Sequence, residues 1–275
     1  AHKVELHGAT VPYFGQEKKR SQGRCEHPFF RRRIWRFGEI ASCLDTAMRL
    51  AELGWLAPWD SVQAASQTAG RGQLRRRWHS PPGNVYAALR LPLTPPFATT
   101  AAAPAVAALL AGGLSEAGWP VRIKWPNDLV LVSPTGEARK VGGILLEERG
   151  GVLVAGVGIN VLCPPSPDFL RKGCAMRATS LAEADFSGRL PLAEELWPLL
   201  VNCAFSAYDA YSSSALYWKT HAESMLLWRH EQVELREGSH RVCGTLEGLT
   251  EEGGLRLSSG WREQEFLSGS LYPCP

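Results

Sequence analysis

The residues best suited to chemistry lie in one arginine-rich, glycine-containing segment at positions 66–84, with the sequence SQTAGRGQLRRRWHSPPGN. Gly70 and Gly72 leave the backbone N–H groups open to close approach by a ligand. Arg71 supplies a planar cation that suits phosphate or carboxylate groups. Trp78 adds a flat ring that can stack on a base such as adenine. The pattern therefore predicts an anion-binding loop, with a solvated basic turn as the alternative.

A second group of polar residues occurs in the sequence IKWPNDLVL. A short apolar strand is predicted to end at Lys124, after which a turn carries Asn127 and Asp128, and a further apolar run follows. This arrangement places a lysine, an amide and a carboxylate together at one strand end.

Two more glycine-containing strands follow. Lys140 begins the first, at 141–148, where Gly142 and Gly143 would let a ligand lie against the backbone. The second, at 152–161, carries GVGIN and places Asn160 at its end. Each feature alone has an ordinary structural explanation, but the set in this order indicates nucleotide-activated ligation.

These motifs resemble those of the biotin protein ligases. The resemblance is carried by QTAGRG with its downstream tryptophan, KWPND, KVGGILLEE, GVGIN and ATSL, and it extends roughly from Phe37 to the C-terminus. Lipoate ligases share the fold but not the KWPND segment. The resemblance implies ATP-dependent attachment of biotin to a lysine of a biotin carboxyl carrier domain through biotinyl-5′-AMP. ATP, Mg²⁺ and biotin would be the small molecules involved.

The resemblance also implies a role for each motif residue. Biotin would be bound by Ser42, Gln67, Gly70, Arg71, Gly72, Lys140, Gly142 and Gly143. ATP and the adenylate would be bound by Arg71, Trp78, Lys124, Asn127 and Asn160. The catalytic residues would be Arg71, Lys124, Asp128 and Lys140, with Asp128 as the Mg²⁺ ligand.

The chain departs from the family pattern in three places. The family usually has Ser-Thr-Asn where this chain has Ser42, Cys43 and Leu44, and a second arginine where it has Gln73. Arg75 replaces a glycine and could supply the missing cation from a shifted position. Losing one charged hydrogen bond costs about 1.5–3 kcal/mol, or roughly ten- to hundredfold in affinity. We therefore expect the adenylate to leak from this site more readily.

Two alternatives remain open at this point. The altered segment Ser42-Cys43-Leu44, in which only the serine is kept, favours a ligase of the same fold that acts on lipoate or octanoate. Gln73 and Leu44 are also compatible with a non-catalytic biotin or adenylate binder. Retention of both Lys124 and Lys140 argues against a pure binder, which has little need for the pair.

The remaining sequence predicts an α/β (α+β) protein. Helices are predicted at 45–53, with Gly54 as a stop, at 97–114, and at 192–211, kinked or restarted at Pro198. The resemblance implies a mixed, largely antiparallel sheet flanked by helices, as in class II synthetases. Short alternating runs after residue 227 predict a small β-barrel, SH3-like in the family. The predicted domains are a basic extension at 1–34, a catalytic domain at 35–225 and a C-terminal domain at 226–275.

Composition excludes several classes of protein. The chain has 275 residues, 45% of them hydrophobic, so it can bury a substantial core. A net charge of only +3 argues against nucleic acid binding by the whole molecule. Fewer than forty residues precede the ligase-like region, so we expect no DNA-binding module. Seven scattered cysteines, no signal peptide and no membrane segment favour a cytoplasmic location. The oligomeric state is left open.

Overall fold

The structure is a computed structural model that describes residues 3–6, 9–12, 32–73, 76–166, 176–184, 189–213 and 217–274. Its helices are α1 (Cys43–Glu52), α2 (Ala102–Glu116), α3 (Ala193–Ser213) and α4 (Tyr217–Ser224). Its strands are β1 (Lys3–Leu6), β2 (Ala9–Pro12), β3 (Ile34–Ile40), β4 (Ser61–Gln67), β5 (Val85–Leu91), β6 (Val121–Lys124), β7 (Asp128–Val132), β8 (Ala138–Arg149), β9 (Val152–Ile159), β10 (Gln232–Glu237), β11 (His240–Leu249), β12 (Leu255–Ser259), β13 (Arg262–Phe266) and β14 (Ser270–Pro273).

A seven-stranded sheet forms the centre of the molecule, in the order β3-β4-β5-β9-β8-β7-β6. Only the β3–β4 pair is parallel among these seven strands, which confirms the predicted mixed, largely antiparallel sheet. The arginine-rich loop joins the antiparallel strands β4 and β5, as the sequence indicates. The KWPND segment forms the turn between β6 and β7. These two connections therefore leave the same sheet.

Helix α1 lies on one face of the central sheet and begins two residues earlier than predicted. Ser42 caps it, because the Ser42 hydroxyl oxygen accepts a hydrogen bond from the Asp45 backbone N–H at 3.3 Å. Residues such as Leu44, Ala47 and Met48 pack against the sheet and are almost fully buried. Gly54 follows the helix with φ +73°, a conformation that favours glycine and confirms the predicted stop. The cap fixes where Cys43 and Leu44 lie.

Helix α3 is one continuous element, so Pro198 does not restart it, and the alternative of a kink at Pro198 stays a prediction. Proline has no N–H, and the helical carbonyl that it leaves without a donor is that of Glu194. The Arg36 guanidinium on β3 donates to the Glu194 carbonyl oxygen at 2.9 Å. A tertiary contact thus replaces the missing helical hydrogen bond. Trp197, fully buried next to Pro198, also donates its indole N–H to the Ser61 hydroxyl on β4 at 3.0 Å.

A five-stranded antiparallel sheet, β13-β12-β11-β10-β14, follows the central domain. It agrees with the predicted small C-terminal β-domain. Its buried residues, including Val233 and Leu246, join the same hydrophobic cluster as helix α2. The Trp125 indole N–H also donates to the Gly253 carbonyl oxygen at 2.9 Å. The two sheets therefore share a core, and the boundary near residue 225 stays a prediction.

The predicted N-terminal extension is described only in part. Strands β1 and β2 form an antiparallel hairpin, and β3 begins at Ile34. The lysines and arginines at 18–20, and Arg31, lie outside the described residues, as does Arg75. Cysteines 43, 163, 203, 243 and 274 are free thiols. Among the described residues, no helix combines the length and hydrophobicity needed to cross a membrane.

Candidate active site

A cavity of about 280 Å³ opens where the N-terminus of α1 meets β8, β9 and the arginine-rich loop. Eleven of the thirteen residues predicted for the site contribute to its wall. They are Ser42, Gln67, Arg71, Gly72, Trp78, Lys124, Asn127, Asp128, Lys140, Gly143 and Asn160. Segments spread over more than a hundred residues of sequence therefore converge on one cavity.

Gly70 and Gly142 are the two predicted residues that lie outside the cavity wall. A Cβ on Gly70 would stand 2.5 Å from the Trp78 carbonyl oxygen, and a Cβ on Gly142 would stand 2.7 Å from the Gly158 carbonyl oxygen. Side chains do not tolerate such distances from backbone atoms. These two glycines are therefore explained by close packing of the backbone, which holds the loop and the β8–β9 pair in place.

Two lysines share one carboxylate at the strand end. The Lys140 Nζ lies 2.5 Å from Asp128 Oδ1, and the Lys124 Nζ lies 3.9 Å from Asp128 Oδ2. All three side chains are mostly buried, with exposures of 28% for Lys140, 20% for Asp128 and 13% for Lys124. Burial lowers the pKa of Lys124, Asp128 opposes that shift, and Lys140 adds to it. Two cations and one anion leave a net positive site that suits an anionic ligand.

Arg71 is held in the wall of the cavity by two carboxylates that the sequence did not predict. Its NH2 group lies 2.6 Å from Asp45 Oδ1, and its NH1 group lies 2.7 Å from Glu147 Oε1. Arg149 extends the network, with its NH2 group 2.8 Å from Glu147 Oε2. The Arg71 Nε is buried and has no hydrogen-bond partner in the described ranges. In this state the charge of Arg71 is neutralised by the protein itself.

The Trp78 ring packs against two neighbouring strands at the positions where each strand carries a glycine. A Cβ on Gly158 would stand 2.5 Å from the ring, and one on Gly143 would stand 3.5 Å from it. The Lys140 Nζ lies 5.5 Å from the centroid of the ring, within range of a cation–π interaction. The indole Nε1 is buried without a partner among the described residues. Glycines 143 and 158 therefore make room for the ring beside Lys140.

Two buried asparagines brace the cavity. The Asn127 side-chain amide donates to the Ile144 carbonyl oxygen at 2.6 Å, and that of Asn160 donates to the Thr179 carbonyl oxygen at 2.9 Å. They are 6% and 4% exposed, respectively. Each amide ties a turn to a neighbouring backbone segment, so both side chains have fixed orientations before any ligand binds.

The opposite end of the cavity is formed by the start of α1 and the end of β4. Gln67 accepts the Cys43 backbone N–H at 2.7 Å and donates to the Ser80 hydroxyl at 3.1 Å. The Cys43 thiol contacts the Tyr86 carbonyl oxygen at 3.2 Å. Cys43 is 2% exposed, as expected for a small buried hydrophobic residue. Ser42 and Gln67, both predicted to contact biotin, already make hydrogen bonds within the protein.

The C-terminal sheet supplies residues that sequence reasoning missed. Ser270 and Tyr272 of β14 line the cavity. The Lys124 Nζ lies 5.5 Å from the Tyr272 ring centroid, and the Arg236 guanidinium lies 4.3 Å from it. No sequence motif marks Tyr272, and only the alternation of β14 would place it on one face of its strand. Tyr272 reaches the cavity because the two sheets pack against each other.

Comparisons with known proteins agree with this geometry. Residues 57–163 match the model of the biotin/lipoate A/B protein ligase family. The chain is 31% identical over 234 residues to the biotin--[acetyl-CoA-carboxylase] ligase of Paracoccus denitrificans, covering 79% of this chain and 89% of that protein. The chain belongs to the biotin protein ligase family. The bifunctional ligase/repressor BirA of Salmonella typhimurium is 37% identical over 233 residues, covering 81% of this chain and 69% of that protein.

A solved structure of the family has the same fold. The biotin protein ligase from Aquifex aeolicus in complex with biotin and ATP superimposes with a TM-score of 0.69 at 28% identity, covering 87% of this chain and 97% of that one. The match to the ligase/repressor BirA of Bacillus subtilis, at 38% identity, spans only 38% of that protein.

Proposed function

We propose that this enzyme attaches biotin to a lysine of a biotin carboxyl carrier domain through biotinyl-5′-AMP. ATP-dependent attachment of biotin is the activity of its family. The observation that carries the proposal is the convergence of Lys124, Asp128 and Lys140 with Arg71 and Trp78 on one cavity. This set suits an acid that must be activated by a nucleotide, because it offers cations for phosphate and a flat ring for a base.

The first step needs positioning and charge neutralisation more than a protein nucleophile. A carboxylate oxygen of biotin attacks the α-phosphorus of ATP, and pyrophosphate leaves. We assign Lys140 to the biotin carboxylate and the α-phosphate, since its Nζ lies near both Asp128 and the Trp78 ring. Lys124, whose side chain is less exposed than that of Lys140, is assigned to the pyrophosphate. Trp78, Asn127 and Asn160 are assigned to the adenine.

The residues present fit a magnesium ion only if substrate phosphates complete its coordination. Among the described residues, no cluster of three or more His, Cys, Asp or Glu side chains could hold a metal by itself. Mg²⁺ commonly binds through one carboxylate together with phosphates and water. Asp128 is the carboxylate that we assign to it, and the ion would offset the charge of the phosphates. The ion would compete with Lys140 for the Asp128 carboxylate.

The test combines the protein with MgATP, an apo carrier domain and either biotin or lipoate, followed by mass measurement of the carrier. A gain equal to one biotinyl group supports the proposal. A lipoyl gain with no biotinyl gain would replace biotin by lipoate as the substrate. No gain despite tight biotin binding would indicate a non-catalytic binder.

The Gln73→Arg variant is expected to retain biotinyl-5′-AMP longer than the wild-type enzyme. Gln73 is exposed and lines the cavity two residues after Arg71, so an arginine there would add one charged hydrogen bond to the adenylate. The dissociation rate of the adenylate should fall about ten- to hundredfold. Release of radiolabelled adenylate from the purified complex measures this rate. Equal rates for both proteins would mean that the wild-type site is not leaky at this position.

As the pH rises, the rate of adenylation is expected to fall at a pH below the usual pKa of lysine, because burial lowers the pKa of Lys124. The Lys124 cation is present below its lowered pKa and is lost as the pH rises through it. The same shift means that neutral Lys124 favours the folded state, so stability should not fall in this pH range. Profiles of kcat/KM against pH, with circular dichroism alongside, separate the two effects. Lys124→Arg should move the decline in rate to higher pH. Identical profiles for the two proteins would show that the charge of Lys124 has no role in adenylation.

A further inference from the structure

The cavity has two chemically different ends, set by the register of β8 and β9. Gly143 pairs with Gly158, and Leu145 pairs with Gly156. Because strand side chains alternate, positions 156 and 158 face the same side and lie about 7 Å apart along the strand. Positions along this face of β8 and β9 therefore define positions along the cavity.

Lys140 and Leu44 lie next to different glycine positions along this face. A Cβ on Gly143 would stand 3.2 Å from the Lys140 Nζ, so that lysine belongs to the Gly143–Gly158 end. A Cβ on Gly156 would stand 2.9 Å from Leu44 Cδ1, so that leucine belongs to the other end. If the acid substrate places its carboxylate at Lys140, as the proposed function requires, its tail extends towards Leu44.

The end at Leu44 offers mainly apolar surface. Leu44 and Cys43 are 4% and 2% exposed, and both line the cavity. Leu145, which pairs with Gly156 on the same face, contributes further apolar wall. Burial raises the pKa of the Cys43 thiol to about 12, so this side chain stays neutral. A hydrocarbon tail would gain contact with these groups as it leaves water.

The polar groups near this end are already engaged within the protein. The Gln67 side-chain oxygen accepts from the Cys43 backbone, and its nitrogen donates to the Ser80 hydroxyl. The Ser42 hydroxyl oxygen caps α1 by accepting from the Asp45 N–H. A substrate tail without hydrogen-bonding groups would therefore leave none of these atoms newly unpaired. A site built to hydrogen-bond its substrate rejects an analogue that lacks those groups, because its buried polar atoms are then left unpaired.

We propose that the same site also adenylates saturated medium-chain carboxylic acids, with Leu44 and Cys43 enclosing the hydrocarbon tail. The inference rests on the proposed function and extends its range of acyl substrates. The chemistry is unchanged: a carboxylate oxygen of the acid bonds to the α-phosphorus of ATP. The bond from that phosphorus to the oxygen of the leaving pyrophosphate breaks.

Pyrophosphate exchange into ATP, driven by either biotin or octanoate, tests the proposal on the full chain. The kcat/KM for biotin should exceed that for octanoate by no more than about 100-fold, the value of about two neutral hydrogen bonds. A site that depends on hydrogen bonds to its substrate would discriminate by roughly 10⁴-fold or more. Exchange with biotin at such a ratio would overturn this inference and leave the proposed function intact. No exchange with either acid would overturn both.

Leu44→Asn sharpens the test by adding an amide to the apolar end. The ratio of the two kcat/KM values should rise at least about tenfold, mainly through loss of activity with octanoate. Leu53→Asn is the matched control, because Leu53 follows α1 outside the cavity and is 38% exposed. It should leave the ratio unchanged. A folded Leu44→Asn protein with an unchanged ratio would contradict the proposal, and the wild-type ratio decides it if that variant does not fold.

Discussion

Replacement of Lys140 by alanine is expected to lower kcat/KM for biotin adenylation about 100- to 1000-fold. The Lys140 Nζ is the cation near both Asp128 and the Trp78 ring, where we place the reacting carboxylate and the α-phosphate. Negative charge moves across these atoms as the adenylate forms, and loss of one fixed donor at such a point costs about 2.7–4 kcal/mol. Pyrophosphate exchange measures the adenylation step without the carrier domain.

Two controls separate this effect from a general loss of structure. Lys219→Ala removes a lysine from α4, which does not line the cavity, and should keep wild-type activity. Lys140→Arg keeps the charge and should recover part of the rate, since a guanidinium still pairs with Asp128 but places its nitrogens differently. An undiminished rate for Lys140→Ala would remove Lys140 from the reaction.

The sequence was sufficient to predict the parts of the site that are local. Lys124 and Asp128 are four residues apart around one turn, and a lysine at a strand end followed by a polar turn is visible in the sequence itself. The order of strands and glycines placed Asn160 correctly at the end of β9, whereas β8 begins at Ala138, so Lys140 lies within that strand and does not precede it. The alternation of apolar residues and the family resemblance together predicted the central sheet.

The parts that the sequence did not predict depend on tertiary contacts. Asp45 and Glu147 meet at Arg71 only because α1 and β8 approach the same loop. Tyr272 reaches Lys124 only because the C-terminal sheet packs against the central one. None of these pairings has a spacing that can be recognised along the chain.

Pro198, Gly70 and Gly142 each have contacts that the local sequence does not show. A proline within a helical pattern predicts a break because one hydrogen bond is lost, but Arg36 supplies a donor to the carbonyl of Glu194 from another element. Glycines beside a binding motif suggest contact with a ligand; Gly70 and Gly142 are also required by neighbouring backbone atoms, and their contact with biotin stays a prediction. In each case the sequence identifies a residue with unusual backbone properties, but the atoms that explain it belong to another part of the chain.

Replacement of Arg71 by alanine is expected to lower kcat/KM for adenylation about 100-fold, and replacement by lysine to restore no more than about tenfold of that loss. Arg71 bridges Asp45 and Glu147 through two different nitrogens, at 2.6 and 2.7 Å. A lysine keeps the charge but offers one compact ammonium group, which cannot reproduce the planar fork. The comparison therefore distinguishes a role in holding the loop from a role of charge alone.

The ion-pair network itself provides the matched control. Arg149 pairs with Glu147 at 2.8 Å, but its side chain is 53% exposed and lies outside the cavity wall. Arg149→Ala should therefore stay within about threefold of the wild-type rate, because exposed ion pairs contribute less than about 1 kcal/mol. If Arg71→Lys regains the full rate, charge alone is sufficient at this position. If Arg71→Ala is as active as Arg149→Ala, the loop arginine makes no contact with the reacting phosphate, and adenylation relies on Lys124 and Lys140.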